Sequence, residues 1–403
     1  MGVLKNIQDV LRELAIDGEF QNEIRQCRRY LHAHPELSNQ EYDTTEFIRE
    51  QLAKLDIQIM ETTRPLRTGV IAFIGQGQSS KNLYLRGDID ALPMEEQSDL
   101  AFMSQNQGVA HTCGHDIHTT ALLYAAKFLK QYESLIDGRL FFIFQPAEEN
   151  MTGALEVIGS GIFEEYPPTH IVGLHTWPGI DEGKIGLKKG AFSAASDYFK
   201  LTVQGKGGHG AHPETAVDPI LISGHILIAL QSIVSRNIEA VESAVITVGK
   251  IQGGTAANVI PNFVEMEGTA RTTNTDIQKT VKDRMYTLLP SIAQGFGGDC
   301  QIEYREGVPP VINDGDIVDV ISTAANSILG DDNVVWLDNP SMGSEDFAHY
   351  LKFTTGVIFR IGTGTADERS RLGLHNSSIV FGENAIFAGI ATFVGTALEY
   401  FRK

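Results

Sequence analysis

Cysteine is scarce, with Cys27, Cys113 and Cys300 alone in 403 residues. So few thiols, odd in number and far apart, exclude a disulfide framework and fit a reducing compartment. Basic residues are also in short supply, 32 Lys and Arg against 51 Asp and Glu, for a formal net charge of −19. Such a chain repels phosphate backbones and excludes nucleic acid as the expected partner, although local arginines can still reverse the field for a small anion. No apolar run approaches the ~20 residues that span a bilayer. The first 20 residues read as an amphipathic helix with Asp9, Arg12, Glu13 and Asp17 among apolar positions, not as a secretory leader. A cytoplasmic protein with no membrane partner is expected.

What is present is an ordinary globular composition, 42% hydrophobic and 21% charged, in a chain long enough for two domains. Helical periodicity covers residues 4–31 and 41–55, parted by a break at Pro35. His32 and His34 beside that break have ligand-like spacing, but structural histidines are commoner at helix ends, and that reading is preferred. Strand-like runs at 57–60, 69–75 and 82–86 lead into Asp88 and Asp90. A helix over 117–131 follows the stretch His111-Thr112-Cys113-Gly114-His115-Asp116, which sets a thiol and an imidazole two residues apart. In extended chain such a pair faces one point, and its chemistry suits zinc or another first-row metal; a buried cysteine beside a capping loop is the alternative.

The apolar run 139–144 reads as a central strand buried on both faces, and it ends in Glu148 and Glu149. A further strand, 170–174, ends in His175. Carboxylates and imidazoles that each follow an apolar strand match a wound α/β sheet with its site at the strands' carboxyl ends. Between Ser196 and Glu303 the order is strand, helix, strand, strand, helix, strand, a self-contained ferredoxin-like unit inserted into the first domain. The glycine-rich loop 205–213 lacks the spacing of a phosphate-binding loop. From Asp314 the α/β pattern resumes, with a helix expected to start at Gly343–Phe347, a strand at 356–361, and a closing helix over 383–402.

Assembled in order, these stretches resemble the M20 metallopeptidase superfamily, and within it the amidohydrolase branch that includes hippurate, N-acetyldiaminopimelate and auxin-conjugate hydrolases. The resemblance rests on residues 86–93, 111–116, 145–149, 173–175, 205–209, 253–261, 344–347 and 374–376. It implies an α/β, mixed-sheet, zinc-peptidase-like catalytic domain (residues 1–187 and 305–403) with an inserted ferredoxin-like α+β lid or dimerisation domain (188–304). It implies two divalent ions per chain, manganese, zinc or cobalt, held by Cys113, His115, Glu149, His175 and His375, with Cys113 bridging. Glu148 becomes the general base and acid. Where other branches carry a metal-binding His in a His-x-Asp motif this chain has none, and Asp88 is favoured over Asp90 as the orienting carboxylate. His209, Asn258 and Arg271 match residues that contact substrate, in relatives often across a dimer interface, so a homodimer is expected.

The chemistry so implied is hydrolysis of the linear amide of an N-acyl amino acid, an aminoacylase or deacetylase reaction, by metal-activated water. A carboxypeptidase or dipeptidase with the same two metals is the nearest alternative. A cysteine hydrolase with Cys113 as nucleophile and a non-catalytic metal-binding protein are more distant ones.

Overall fold

Ile7 and Leu11, one helical turn apart, are both buried, and they anchor the first of two short helices where one was expected. The computed structural model describes residues 2–77 and 79–402, with the side chains of residues 2–6 left out. Helix α1 spans Gly2–Leu14 and α2 spans Gly18–Ala33. The break comes from Asp17, whose carboxylate accepts from the N–H groups of Glu19 and Phe20, followed by helix-poor Gly18. Helix α3 covers Tyr42–Lys54.

The chain divides into two units, one of residues 1–190, 312–338 and 349–403, the other of residues 191–311 and 339–348. The first contains β1 (Gln58–Ile59), β2 (Val70–Ile74), β3 (Asn82–Asp88), α4 (His115–Lys130), β4 (Arg139–Gln145), β5 (His170–Asp181) and β6 (Ile185–Leu187). With strands Val334–Trp336 and Thr355–Gly364 these form an eight-stranded sheet in the order β1, β2, β4, β3, β5, Thr355–Gly364, β6, Val334–Trp336. The sheet is mixed: β4, β3, β5 and Thr355–Gly364 run parallel, while β1, β2 and β6 each meet an antiparallel neighbour. The parallel core collects the carboxyl ends of four strands at one edge. Every residue of β3 is buried, and all of β4 but Arg139. Helix α4 packs against the closing helix Asn384–Tyr400. A Cβ on Gly389 would come within 2.9 Å of the Ala121 methyl, so glycine sets how closely the two helices approach.

The second unit carries strands Ala195–Gln204, Ala244–Gly253, Phe263–Thr272 and Asp299–Val308 with helices Pro219–Asn237 and Thr275–Gly295. Its antiparallel sheet has Ala195–Gln204 and Phe263–Thr272 in the centre and the other two strands at the edges, the ferredoxin-like order. This unit also takes in residues 339–348, which the sequence pattern assigns to the closing part of the first domain. Ala194 explains the reassignment, because its N–H donates to the carbonyls of Ser341 and Gly343. The helix expected to begin at Gly343–Phe347 is a 3₁₀ stretch, Asp346–Lys352.

Helix Pro219–Asn237 is long and apolar enough by length and composition to cross a membrane. Its Ile222, Ile226, Leu230 and Ile233 are buried in the core of the second unit, whereas Ile220, Leu221 and Ile228 are exposed. His225, Gln231 and Arg236 interrupt the run and hide it from a simple count of consecutive apolar residues.

Candidate metal centre

Helix α4 starts at His115, and the residue before it, Gly114, has φ +90°. A Cβ there would lie 2.6 Å from Thr176 Cγ2, so a side chain at 114 meets both backbone strain and a clash. The Thr176 hydroxyl donates to the Cys113 carbonyl and ties this turn to β5. Cys113 Sγ then sits 3.5 Å from His175 Nε2. The His175 Nδ1–H donates to the Thr176 carbonyl at 2.8 Å, which leaves Nε2 as the donor atom facing the thiol.

Glu149 enters from the turn after β4. Its Oε1 is 3.8 Å from His115 Nε2 and 3.4 Å from His375 Nε2. His375 is held in a left-handed backbone, φ +64°, with its N–H donating to the Thr112 carbonyl. Ligand atoms of Cys113, His115 and His175 all lie within 4.8 Å of one another, and so do those of Cys113, Glu149 and His375. The two sets share Cys113. A third grouping joins His115 and Glu149 to Glu148, which is buried.

Whether these residues fit metal ions is decided by two atoms. His115 Nε2 and Glu149 Oε1 are buried and make no hydrogen bond among the described residues. Leaving such atoms unsatisfied costs ~1–3 kcal/mol each. Donor atoms ~2.0–2.3 Å from a tetrahedral zinc lie ~3.3–3.8 Å apart, which is the spacing found here. Thiolate, imidazole and carboxylate are moreover the donor types zinc and its neighbours accept. The residues fit.

Asp90, not Asp88, stands behind His115. The His115 Nδ1–H donates to the Asp90 carbonyl at 2.9 Å and faces Asp90 Oδ1 at 3.1 Å, so Nε2 is turned toward Cys113 and Glu149. Asp90 Oδ2 accepts from the Glu149 N–H at 3.0 Å and the Ser38 hydroxyl at 2.7 Å. Asp88 serves a different pair, with Arg86 at 2.8 Å and His118 Nδ1 at 2.5 Å. The preference for Asp88 is therefore corrected. Asp88 also faces His115, its Oδ2 3.7 Å from Nε2, so the two aspartates differ in which ring nitrogen they meet, and that depends on the helix register of α4. His118, one turn beyond His115, was not singled out by motif; its Nε2 accepts from the Thr176 N–H at 2.8 Å. The i, i+3 spacing on a helix was the available signal.

Charges in this pocket are strongly perturbed. Burial would raise the Asp88 carboxyl, but Arg86, His115 and His118 hold it well below the usual range. Burial pushes His175 down to about 4, aided by the positive field of His115, so its imidazole is neutral and able to ligate. Burial likewise opposes charge on His115, yet Asp88, Asp90 and Glu149 outweigh it and raise the group to about 10. His32 lies outside this pocket: its two nitrogens meet Asp116 at 2.9 Å and Glu96 at 3.0 Å.

In the second unit, His209 pairs with Val259 across a short two-stranded ladder, which places it beside Asn258. Both are exposed. Arg271 lies on the central strand, opposite Ser196, and donates to the Ser344 hydroxyl at 3.1 Å. His209 follows Gln204, at the other end of that ladder. Eight residues of strand, Ser196 to Gln204, span ~26 Å at ~3.3 Å each, so one copy of the unit does not bring Arg271 to His209 and Asn258.

Residues 84–399 match the family described as Peptidase family M20/M25/M40. An N-acetyl-L-cysteine deacetylase of Bacillus subtilis is 41% identical over 337 residues, 83% of this chain and 79% of its own. A thermostable carboxypeptidase of Saccharolobus solfataricus is 35% identical over 98% of this chain and its full length. A solved Bacillus subtilis structure described as a dinuclear metal-binding peptidase of the M20 family superposes with TM-score 0.84 at 33% identity, covering 96% of this chain and 99% of that one.

Proposed function

Because the chain belongs to peptidase family M20/M25/M40, we propose that it hydrolyses the amide bond of N-acyl amino acids, releasing a carboxylate and a free amino acid. The observation that carries this reading is the pair of donor sets sharing Cys113, with buried Glu148 beside them. Cys113, His115, Glu149, His175 and His375 would hold two divalent cations, manganese, zinc or cobalt. When bound, these would polarise the scissile carbonyl and acidify a water molecule.

The remaining roles belong to the chain itself. Asp90 fixes the tautomer of His115 and, through the Glu149 N–H, the turn that carries the carboxylates. Glu148 takes the proton of the attacking water and returns it to the leaving amine. His209 and Asn258 donate to the developing oxyanion. Arg271 grips the substrate carboxylate with two parallel hydrogen bonds. The separation of Arg271 from His209 and Asn258 supports a homodimer in which one chain supplies Arg271 and its partner the other two. The exposed Ile220, Leu221 and Ile228 supply apolar surface for such an interface. A cytoplasmic location accords with three dispersed cysteines.

A carboxypeptidase or dipeptidase is the second reading, favoured by the Saccharolobus relative. Release assays on acetyl, benzoyl and indolyl amino acids against dipeptides separate the two. Turnover confined to dipeptides would overturn the first reading.

A further inference from the structure

Glu41 is a carboxylate with no solvent exposure, and among the described residues no cation forms an ion pair with it. It occupies the N-cap of α3, where its own side chain would ordinarily accept from the first turn, yet it makes no such bond. Glu36 takes over that task from a distance, accepting from the N–H groups of Asp43 at 3.2 Å and Thr44 at 2.8 Å. The Glu41 carboxylate is thereby released to point inward. One oxygen accepts from the Thr68 hydroxyl at 2.7 Å and the other from the Ala147 N–H at 2.8 Å.

Ala147 is the residue before Glu148, and its φ of +49° lies in the left-handed region that a side chain disfavours. It starts a tight turn in which its carbonyl accepts from the Thr152 and Gly153 N–H groups, and the Glu148 carbonyl from that of Met151. Strained backbone persists only where its surroundings over-determine it. Here two carboxylates flank the turn, Glu41 on the N–H of Ala147 and Asp90 on the N–H of Glu149.

We propose that Glu41 is a positioning residue, whose grip on the Ala147 N–H holds the left-handed turn that sends Glu148 and Glu149 to their separate places. The proposal rests on Glu148 as the proton carrier and Glu149 as a ligand. Burial raises the Glu41 carboxyl pKa, and in either protonation state an oxygen remains to accept from Ala147. A glutamine, which keeps a carbonyl at the same reach, should therefore substitute, whereas an apolar side chain of the same length should not.

The test compares full-length Glu41→Met, Glu41→Gln and the double variant Glu41→Met/Ala147→Gly for kcat, KM, bound metal and melting temperature, with Glu148→Gln alongside. Glu41→Met should lower kcat by about 10–100-fold with KM moved less than about threefold, and Glu41→Gln should stay within about threefold of the parent. Glycine at 147 enters the left-handed region without strain and should restore most of the lost kcat. A purely structural Glu41 would show both its loss and the glycine rescue in melting temperature alone, with kcat of the folded, metal-loaded enzyme unchanged throughout. Should Glu41→Met fail to fold, Glu41→Asp, which withdraws the carboxylate by one methylene, carries the same prediction. Unchanged kcat in the folded variant, or no rescue by Ala147→Gly, overturns the proposal. An active Glu148→Gln would instead remove the reading on which it rests.

Discussion

Glu148 and Glu149 are adjacent in sequence and separate in task, and single substitutions should split them. Glu148→Gln is expected to lower kcat by about 10²–10⁴-fold while metal content, read by elemental analysis, stays at the parent value. Glu149→Gln should lose metal. Asp88 and Asp90 should likewise part company. Asp90→Ala removes the carboxylate beside the His115 Nδ1–H and the acceptor of the Glu149 N–H, leaving only the residue-90 carbonyl to orient the ring, and should weaken metal affinity about 10–100-fold in a chelator competition. Asp88→Ala removes the buried carboxylate that Arg86 and His118 share and should cost about 3–5 kcal/mol in urea unfolding. The ligands were legible in the sequence because each follows an apolar run or sits in a two-residue pair with chemistry of its own. The choice between the aspartates was not, since it depends on how α4 turns against β3, which no local pattern records.

The break between α1 and α2, the left-handed turn at Gly114 and the His32 cluster are matters of element placement. Gly114→Ala should abolish activity and lower the melting temperature, as its Cβ meets Thr176 at 2.6 Å. His32 links α2 to α4 through Asp116, with Arg28 donating to the same carboxylate at 2.6 Å. Burial and Arg28 push His32 down, but Asp116 and Glu96 outweigh them and its folded pKa is raised above 6.5. A raised pKa means the protonated form favours folding. That contribution is complete below pH 6.5 and fades as pH rises through the folded value. Urea midpoints of His32→Phe should therefore fall furthest behind the parent's below pH 6.5, with the gap narrowing as pH rises. A gap that widens with pH would contradict the assignment. Strand runs and the strand–helix alternation were readable from periodicity. The extension of β5 past His175 and the 3₁₀ character of Asp346–Lys352 were not, because both are set by neighbours distant in sequence.

At the scale of the molecule, the ferredoxin-like order was legible from element order alone, but the capture of residues 339–348 by that unit depends on hydrogen bonds from Ala194. The ~26 Å between the ends that carry Arg271 and His209 makes a specific demand on assembly. Mixing inactive Glu148→Gln with inactive His209→Ala should restore about a quarter of wild-type activity if a site draws on two chains, since half the dimers would be mixed and each would hold one intact site. No recovery after subunit exchange would place the whole site in one chain. The central claim is that this fold holds a two-metal amidohydrolase centre. Its most direct test is to strip the protein with a chelator and titrate manganese, zinc or cobalt back while following amino-acid release from N-acetyl amino acids. The account predicts no activity in the stripped protein and a rise that saturates at two equivalents of metal per chain. Full activity without metal, or saturation at one equivalent, would contradict it.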